Sequence, residues 1–168
     1  MKTDRFEPLM EASLPEGFPA PGPVGEAVVK EYPRYRAART PGGMAAFWTL
    51  FGHIKRNDIP MTAPVEMTME KGEMVDMAFL YASPGQGRAG KEGAVEVLDL
   101  PAVRVVSFGI RGTPTPEQID AAKREIERMR DEKAMEAAGP FRLLGYNSPM
   151  VPARNRFYEL QLPVRAKQ

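Results

Sequence analysis

One histidine and no cysteine limit what this chain of 168 residues can do to a bond. Without a thiol there is no disulfide, no thiolate metal site and no sulfur nucleophile. His53, as a lone histidine, is either a solvated or structurally bonded side chain or a ligand. Glu66, Glu70, Glu73 and Asp76 gather around one hairpin, and paired carboxylates do acid and base work when their environments differ. Glu66 and Glu70 share strand parity, which puts them on one face if the strand runs unbroken. Exposed hairpin charges explain the same pattern more simply, so the chain is read as a binder and not as an enzyme. Gly85-Gln86-Gly87 has neither the following helix nor the spacing of a phosphate-binding fingerprint and reads as a loop. The eleven methionines suit a soft pocket for a flat ligand, and serve equally as core filling.

The most constrained stretch is Ile59-Pro60-Met61-Thr62-Ala63-Pro64-Val65. Its two prolines forbid a helix and interrupt any strand ladder, so it is predicted as a fixed, extended crossing with small and apolar side chains pressed inward. It offers one hydroxyl, one thioether and hydrocarbon, which specifies a shape and not a reaction. A helix from about Met44 to Arg56 leads into it, with Phe47, Leu50, Phe51 and Ile54 as an apolar stripe. At about 100° per residue, His53 lies roughly 110° from the centre of that stripe and Trp48 lies as far off on the other side. His53 is thus expected to flank the core, and Trp48 to be a second packing partner or a groove wall.

Strands are expected at Val28–Tyr32 and Tyr35–Arg39, then at Val65–Met69 and Met74–Tyr81 as a hairpin, at Val95–Leu98 and Val103–Phe108, and at Phe141–Tyr146 and Phe157–Val164. Thr115-Pro116-Glu117-Gln118 is a capping box with proline at the first helical position. It opens a second helix whose buried stripe is Ile119, Ala122, Ile126 and Met129. Pro33-Arg34-Tyr35-Arg36-Ala37-Ala38 echoes Pro101-Ala102-Val103-Arg104-Val105-Val106, and each is followed by a turn, a helix and a strand. Two similar strand-helix-strand-strand halves explain this order and leave a concave seam or face as a ligand site.

Residues 1–24 carry five prolines and read as an extended arm, which Phe6, Leu9, Leu14 and Phe18 could pin to the surface; residues 25–168 read as one domain. With 23 Lys and Arg against 22 Asp and Glu, the formal charge of +1 gives no field that would favour nucleic acid or an anionic membrane. No segment reads as a signal peptide or a span of about 20 apolar residues. A soluble cytoplasmic protein, monomeric or weakly dimeric, is expected.

Glu31-Tyr32-Pro33-Arg34-Tyr35-Arg36-Ala37-Ala38, Met61-Thr62-Ala63-Pro64-Val65, and Gly145-Tyr146-Asn147-Ser148-Pro149 followed by Arg154-Asn155-Arg156 together resemble the SOUL haem-binding family, in order from about Val28 to Val164. The resemblance implies an α+β fold, a distorted antiparallel β-barrel of two pseudo-symmetric βαββ halves with two helices packed on the sheet. It also implies non-covalent binding of haem or another porphyrin in an apolar groove beside the first helix, for transport, buffering or sensing. The groove residues expected are Met44, Phe47, Trp48, Phe51, His53 and Met61, with Arg36 and Arg56 placed to meet propionates and His53 as the available iron ligand. At the family's histidine position this chain has Glu31, a poor substitute for imidazole on haem iron. The alternative is a gyrase-inhibitor-like module that binds, or hydrolyses, varied small molecules. That reading requires a buried, hydrogen-bonded Glu or Tyr in the cleft, such as Glu66, Tyr81 or Tyr146.

Overall fold

Residues 6–168 are described, in a computed structural model. Strands β1 (Ala27–Tyr32) and β2 (Tyr35–Pro41) lead to helix α1 (Ala46–Arg56), the crossing, and the hairpin β3 (Val65–Glu70) and β4 (Glu73–Leu80). Then come β5 (Gly90–Glu92), β6 (Val95–Leu100), β7 (Val103–Arg111), α2 (Pro116–Glu132), β8 (Met135–Ala137), β9 (Arg142–Gly145) and β10 (Phe157–Ala166). The three-residue strands β5 and β8 escaped sequence reading because each is shorter than one period of useful alternation.

The sheet order β1-β7-β10-β9-β3-β4-β2-β6-β5, with β8 beside β10, makes the duplication explicit. Half one is β2-α1-β3-β4 and half two is β7-α2-β9-β10, joined where β3 pairs antiparallel with β9, from Val65 opposite Gly145 to Thr68 opposite Arg142. The remaining strands are exchanged. β1, from the first repeat, edges β7 of the second half, while β6, which precedes the second repeat, edges β2 of the first. Ala27 faces Phe108 and Tyr32 faces Val103; beyond the break, Tyr35 faces Leu100 and Arg39 faces Glu96 in the same register. One ribbon therefore spans both halves, interrupted where Pro33 and Pro101 lack a ladder donor. The expected barrel is an open sheet: this chain-continuous ribbon, not a hydrogen-bonded ladder, ties its two ends.

Both helices lie on one face. α1 packs on β2, β4 and β6 over Ala38, Met77, Phe79, Val95 and Val97; α2 packs on β1, β7, β8 and β10 over Val106, Leu160, Leu162 and Val164. The capping box forms as read, with the Thr115 hydroxyl accepting from the Gln118 N–H and the Gln118 side chain accepting from the Thr115 N–H. Ala122 and Ile126 are buried on α2, as read from its stripe. The opposite, inner face carries Tyr32, Val105, Leu144, Tyr146 and Phe157 on one side and Tyr35, Ala37, Ala78 and Leu80 on the other. Residues 6–24 run across it without regular structure, Phe6, Ala12, Leu14 and Phe18 packing onto these clusters. In the crossing, Thr62, Ala63 and Pro64 are buried as expected, whereas Met61 stays 37% exposed. The Ala63 N–H donates to the Ser13 carbonyl of the arm.

Candidate functional site

α1 rolls further than its stripe suggests. The side chains it buries are Ala46, Leu50, His53 and Ile54, so the correction to the sequence reading is that His53 enters the core and is 2% exposed. Its Nε2 lies 2.9 Å from the Tyr81 hydroxyl and its Nδ1 3.1 Å from Glu92. These partners make the inward position favourable, because burying an imidazole requires both ring nitrogens to be satisfied. Phe47 and Phe51 are thereby left half-buried on the flank. Trp48 beside them on α1 and Met44 in the turn before it are 71% and 69% exposed. The rings form one cluster: Phe47 and Phe51 stack at 6.1 Å and 12°, and Trp48 meets each edge-on.

This flank faces the central strands, on which neither helix packs closely. Val65, Met67 and Met74 pack on the same cluster as Phe47 and Phe51, while Leu143, opposite Met67 where the halves join, packs with Phe141 on the cluster under α2. Between them lies Gly145, where a Cβ would come within 3.3 Å of both Met67 Cε and the Tyr158 ring. Met67 and Tyr158 therefore close over Gly145, and the aromatic rings of α1 stand beside an apolar stretch of the central strands. Two cations sit over rings at its sides, Lys55 Nζ 5.2 Å from Phe51 and Lys123 Nζ 5.3 Å from Phe141.

Of the residues expected at a site, α1 brings Phe47, Trp48 and Phe51 together, and Met44 stands exposed in the turn before it. His53 is not among them: five residues from Trp48 it points about 140° away, and both its nitrogens are engaged. Arg36 is committed to Asp99 at 2.9 Å and to the carbonyls of Gln86 and Gly87. Arg56 binds Glu92 at 3.0 Å. Hydrogen bonds from Asn57, Arg56 and His53 hold the Glu92 carboxyl down to about 2. Glu31, at the position where a histidine was sought, is exposed and paired with Arg104. The aromatic flank and the two lysines have the chemistry to meet a flat apolar ring bearing acidic substituents, and His53, with both ring nitrogens engaged, is not offered to a metal at the ring's centre.

A second constellation lies on the inner face. Glu66, expected at the surface, is buried because β3 alternates and its even positions face inward as far as a register shift after Thr68, which also breaks its parity with Glu70. The Tyr35 hydroxyl donates to Glu66 at 2.7 Å, and Arg142 Nη1 at 2.8 Å. Arg142 Nε donates to Gln161 at 2.9 Å, and Gln161 donates to the Tyr32 hydroxyl and to Ser107. Glu159, fully enclosed, takes the Lys30 ammonium, the Tyr146 hydroxyl and the Ser107 hydroxyl. Burial, then the nearby carboxylates, push the tyrosine hydroxyls upward: Tyr35 beside Glu66, Tyr32 and Tyr146 beside Glu159. Burial opposes the charge on Arg142, and Glu66 with the tyrosine oxygens outweighs it. Each carboxylate has its own cation, so the cluster carries no free base. Sequence reading singled out Glu66 and Tyr146 but not Lys30, Arg142, Glu159 or Gln161; the available signal was an isolated polar residue sharing strand parity with apolar inward positions, such as Arg142 with Leu144 and Glu159 with Phe157.

Residues 25–163 match the family model of the SOUL heme-binding protein. The fold is similar to the C-terminal domain of EcmrR, with a TM-score of 0.63 and 15% identity over 84% of this chain and 98% of that one. It is also similar to a hydrolase from Listeria innocua, with a TM-score of 0.62 and 11% identity over 86% and 94%. At these identities the likeness is one of fold. No curated protein matches the chain.

Arg142→Met strands the Glu66 carboxylate in the interior. It should cost about 3–5 kcal/mol in urea unfolding, and Glu66→Leu made together with Arg142→Met should cost less than Arg142→Met alone. Because the folded-state values of Tyr32, Tyr35 and Tyr146 are raised, their contribution to stability is fully present below about pH 10 and is lost above it. The loss is about 1.4 kcal/mol per pH unit for each tyrosine. Denaturation midpoints followed from pH 8 to 11 should therefore fall only in the upper half of that range.

Proposed function

Because the chain belongs to the SOUL heme-binding protein family, we propose that it holds haem or a related tetrapyrrole non-covalently in the groove beside α1, by contact with the ring and not through an iron ligand. The observation that carries this reading is the aromatic flank of α1, in which an exposed Trp48 stands edge-on to the half-buried Phe47 and Phe51 beside the apolar central strands. A surface Trp is ordinarily tolerated singly, but three rings with Met44 make a patch of the kind that marks a ligand groove. In this reading Met44 and Trp48 cover one face of the macrocycle, while Phe47, Met67 and Leu143 support the other. Lys55 and Lys123 meet the carboxylates. When bound, the group supplies colour, redox capacity and gas affinity; the chain supplies a dry face and charge at the rim.

The effector-binding or hydrolytic reading draws support from the buried Glu66–Tyr35 and Glu159–Tyr146 pairs, which have the chemistry it requires. The cations already on both carboxylates, and the arm across the inner face, favour the helix-side groove over it.

Titration with ferric haem and with metal-free protoporphyrin should each give saturable one-to-one binding. Trp48→Ala should weaken both about tenfold, or about 1.4 kcal/mol. His53→Ala, checked to be folded, should change neither affinity by more than about threefold. Haem binding that metal-free porphyrin does not reproduce and that His53→Ala abolishes would overturn recognition by ring contact; no saturable binding of either would overturn the tetrapyrrole reading.

A further inference from the structure

The arm does not lie on the inner face as a loose tail. It makes spaced, directional contacts with both halves. The Glu16 N–H donates to the Ala82 carbonyl at 2.8 Å and the Ala63 N–H to the Ser13 carbonyl at 3.0 Å, both in the first half. Leu9 and Glu11 take hydrogen bonds from Asn147 and Ser148 in the second. At the centre Phe18 enters edge-on between two tyrosines, its ring 4.9 Å from Tyr32 and 5.4 Å from Tyr35. Two residues later the Ala20 carbonyl accepts from the Lys30 ammonium at 2.8 Å, and two beyond that the Gly22 N–H donates to Glu159 at 3.2 Å.

These contacts have the form of peptide recognition. An aromatic slot made by Tyr32 and Tyr35 takes a side chain, and an ion pair, Lys30 with Glu159, reads a backbone carbonyl and a backbone N–H. Specificity comes from a pocket for one side chain, and affinity from main-chain groups, which any extended segment offers. The arm also leaves without stranding a charge. Glu159 keeps Lys30, Tyr146 and Ser107, and water replaces Gly22. Among the described residues, strand-type pairing ties the arm only at its end, where Val24 bridges Gly109 of β7. It joins β1 through a turn in which Gly22 and Gly25 take positive φ, of 96° and 80°.

We propose that the seam between the halves is a peptide-binding cleft, that residues 6–24 are its intrachain ligand, and that the same segment of a second copy of the chain can take their place. This cleft is separate from the groove beside α1 and does not depend on what that groove holds. Exchange of an identical element between copies needs no surface beyond the one already made within the chain.

The test is a fluorescent synthetic peptide of residues 6–24 titrated into the full-length protein and into full-length Phe18→Ala. Weakening the intrachain ligand should free the cleft. The variant should bind the peptide saturably and at least about tenfold more tightly than the unaltered protein does, and a peptide carrying Phe18→Ala should lose that advantage. No binding to a folded variant, or equal binding of both peptides, overturns the proposal. Should Phe18→Ala fail to fold, hydrogen exchange of the unaltered protein decides. The amides of Glu16, Gly22 and Ala63 opening well before those of β7 and β10 supports an exchangeable arm. Opening only with global unfolding overturns it.

Discussion

Glu66 and Glu159 are both taken out of water on the inner face, and the need of each for a cation determines how the two halves meet. Glu66 stands on β3 of the first half and is held by Arg142 from β9 of the second. Glu159 stands on β10 of the second half and is held by Lys30 from β1, the strand lent by the first repeat. Both ion pairs therefore bridge the duplication. Buried pairs of this kind add little net stability over hydrocarbon, but removing one partner is costly. Their effect is to specify register: a slip of one residue between β3 and β9 would turn Glu66 onto the helix face and leave Arg142 alone.

Because the polar requirement is met on one face, the other can be apolar. The helix side needs no buried ion pair, which allows Val65, Met67 and Leu143 to line the central strands between α1 and α2 with apolar side chains. His53 illustrates how the two are coupled. Drawn inward to Tyr81 and Glu92, it fixes the roll of α1, and that roll is what presents Trp48 and Met44 outward. A residue that looks like the obvious ligand acts instead as the peg that orients the groove wall. The arm closes the inner face and leaves the groove open.

The elements were legible wherever periodicity was long or local chemistry strong. The capping box at Thr115, the stripe of α2, the proline crossing at 60–64 and the strand-helix-strand echo all appear in the structure where the residues place them. The exchange of β1 and β6 between halves was not legible, because nothing local distinguishes a strand's own half from its neighbour's. Glu66 was misjudged for a related reason: its neighbours Glu70 and Glu73 are exposed hairpin charges, and only a partner 76 residues away, Arg142, makes the interior tolerable. Of the site, the aromatic flank of α1 was readable from sequence spacing, and the orientation of His53 was not, since it depends on Tyr81 and Glu92, 28 and 39 residues further along the chain.

The division of labour between the two faces is most directly tested by mapping backbone amide shifts while metal-free protoporphyrin is added to the isotopically labelled protein. The expected result is that shifts concentrate in α1, in the central strands at Val65–Met67 and at Leu143–Gly145, with Ser107, Glu159 and Gln161 unmoved. Shifts centred on those three inner-face residues and on Phe18, with α1 silent, would place the ligand in the seam and contradict the account.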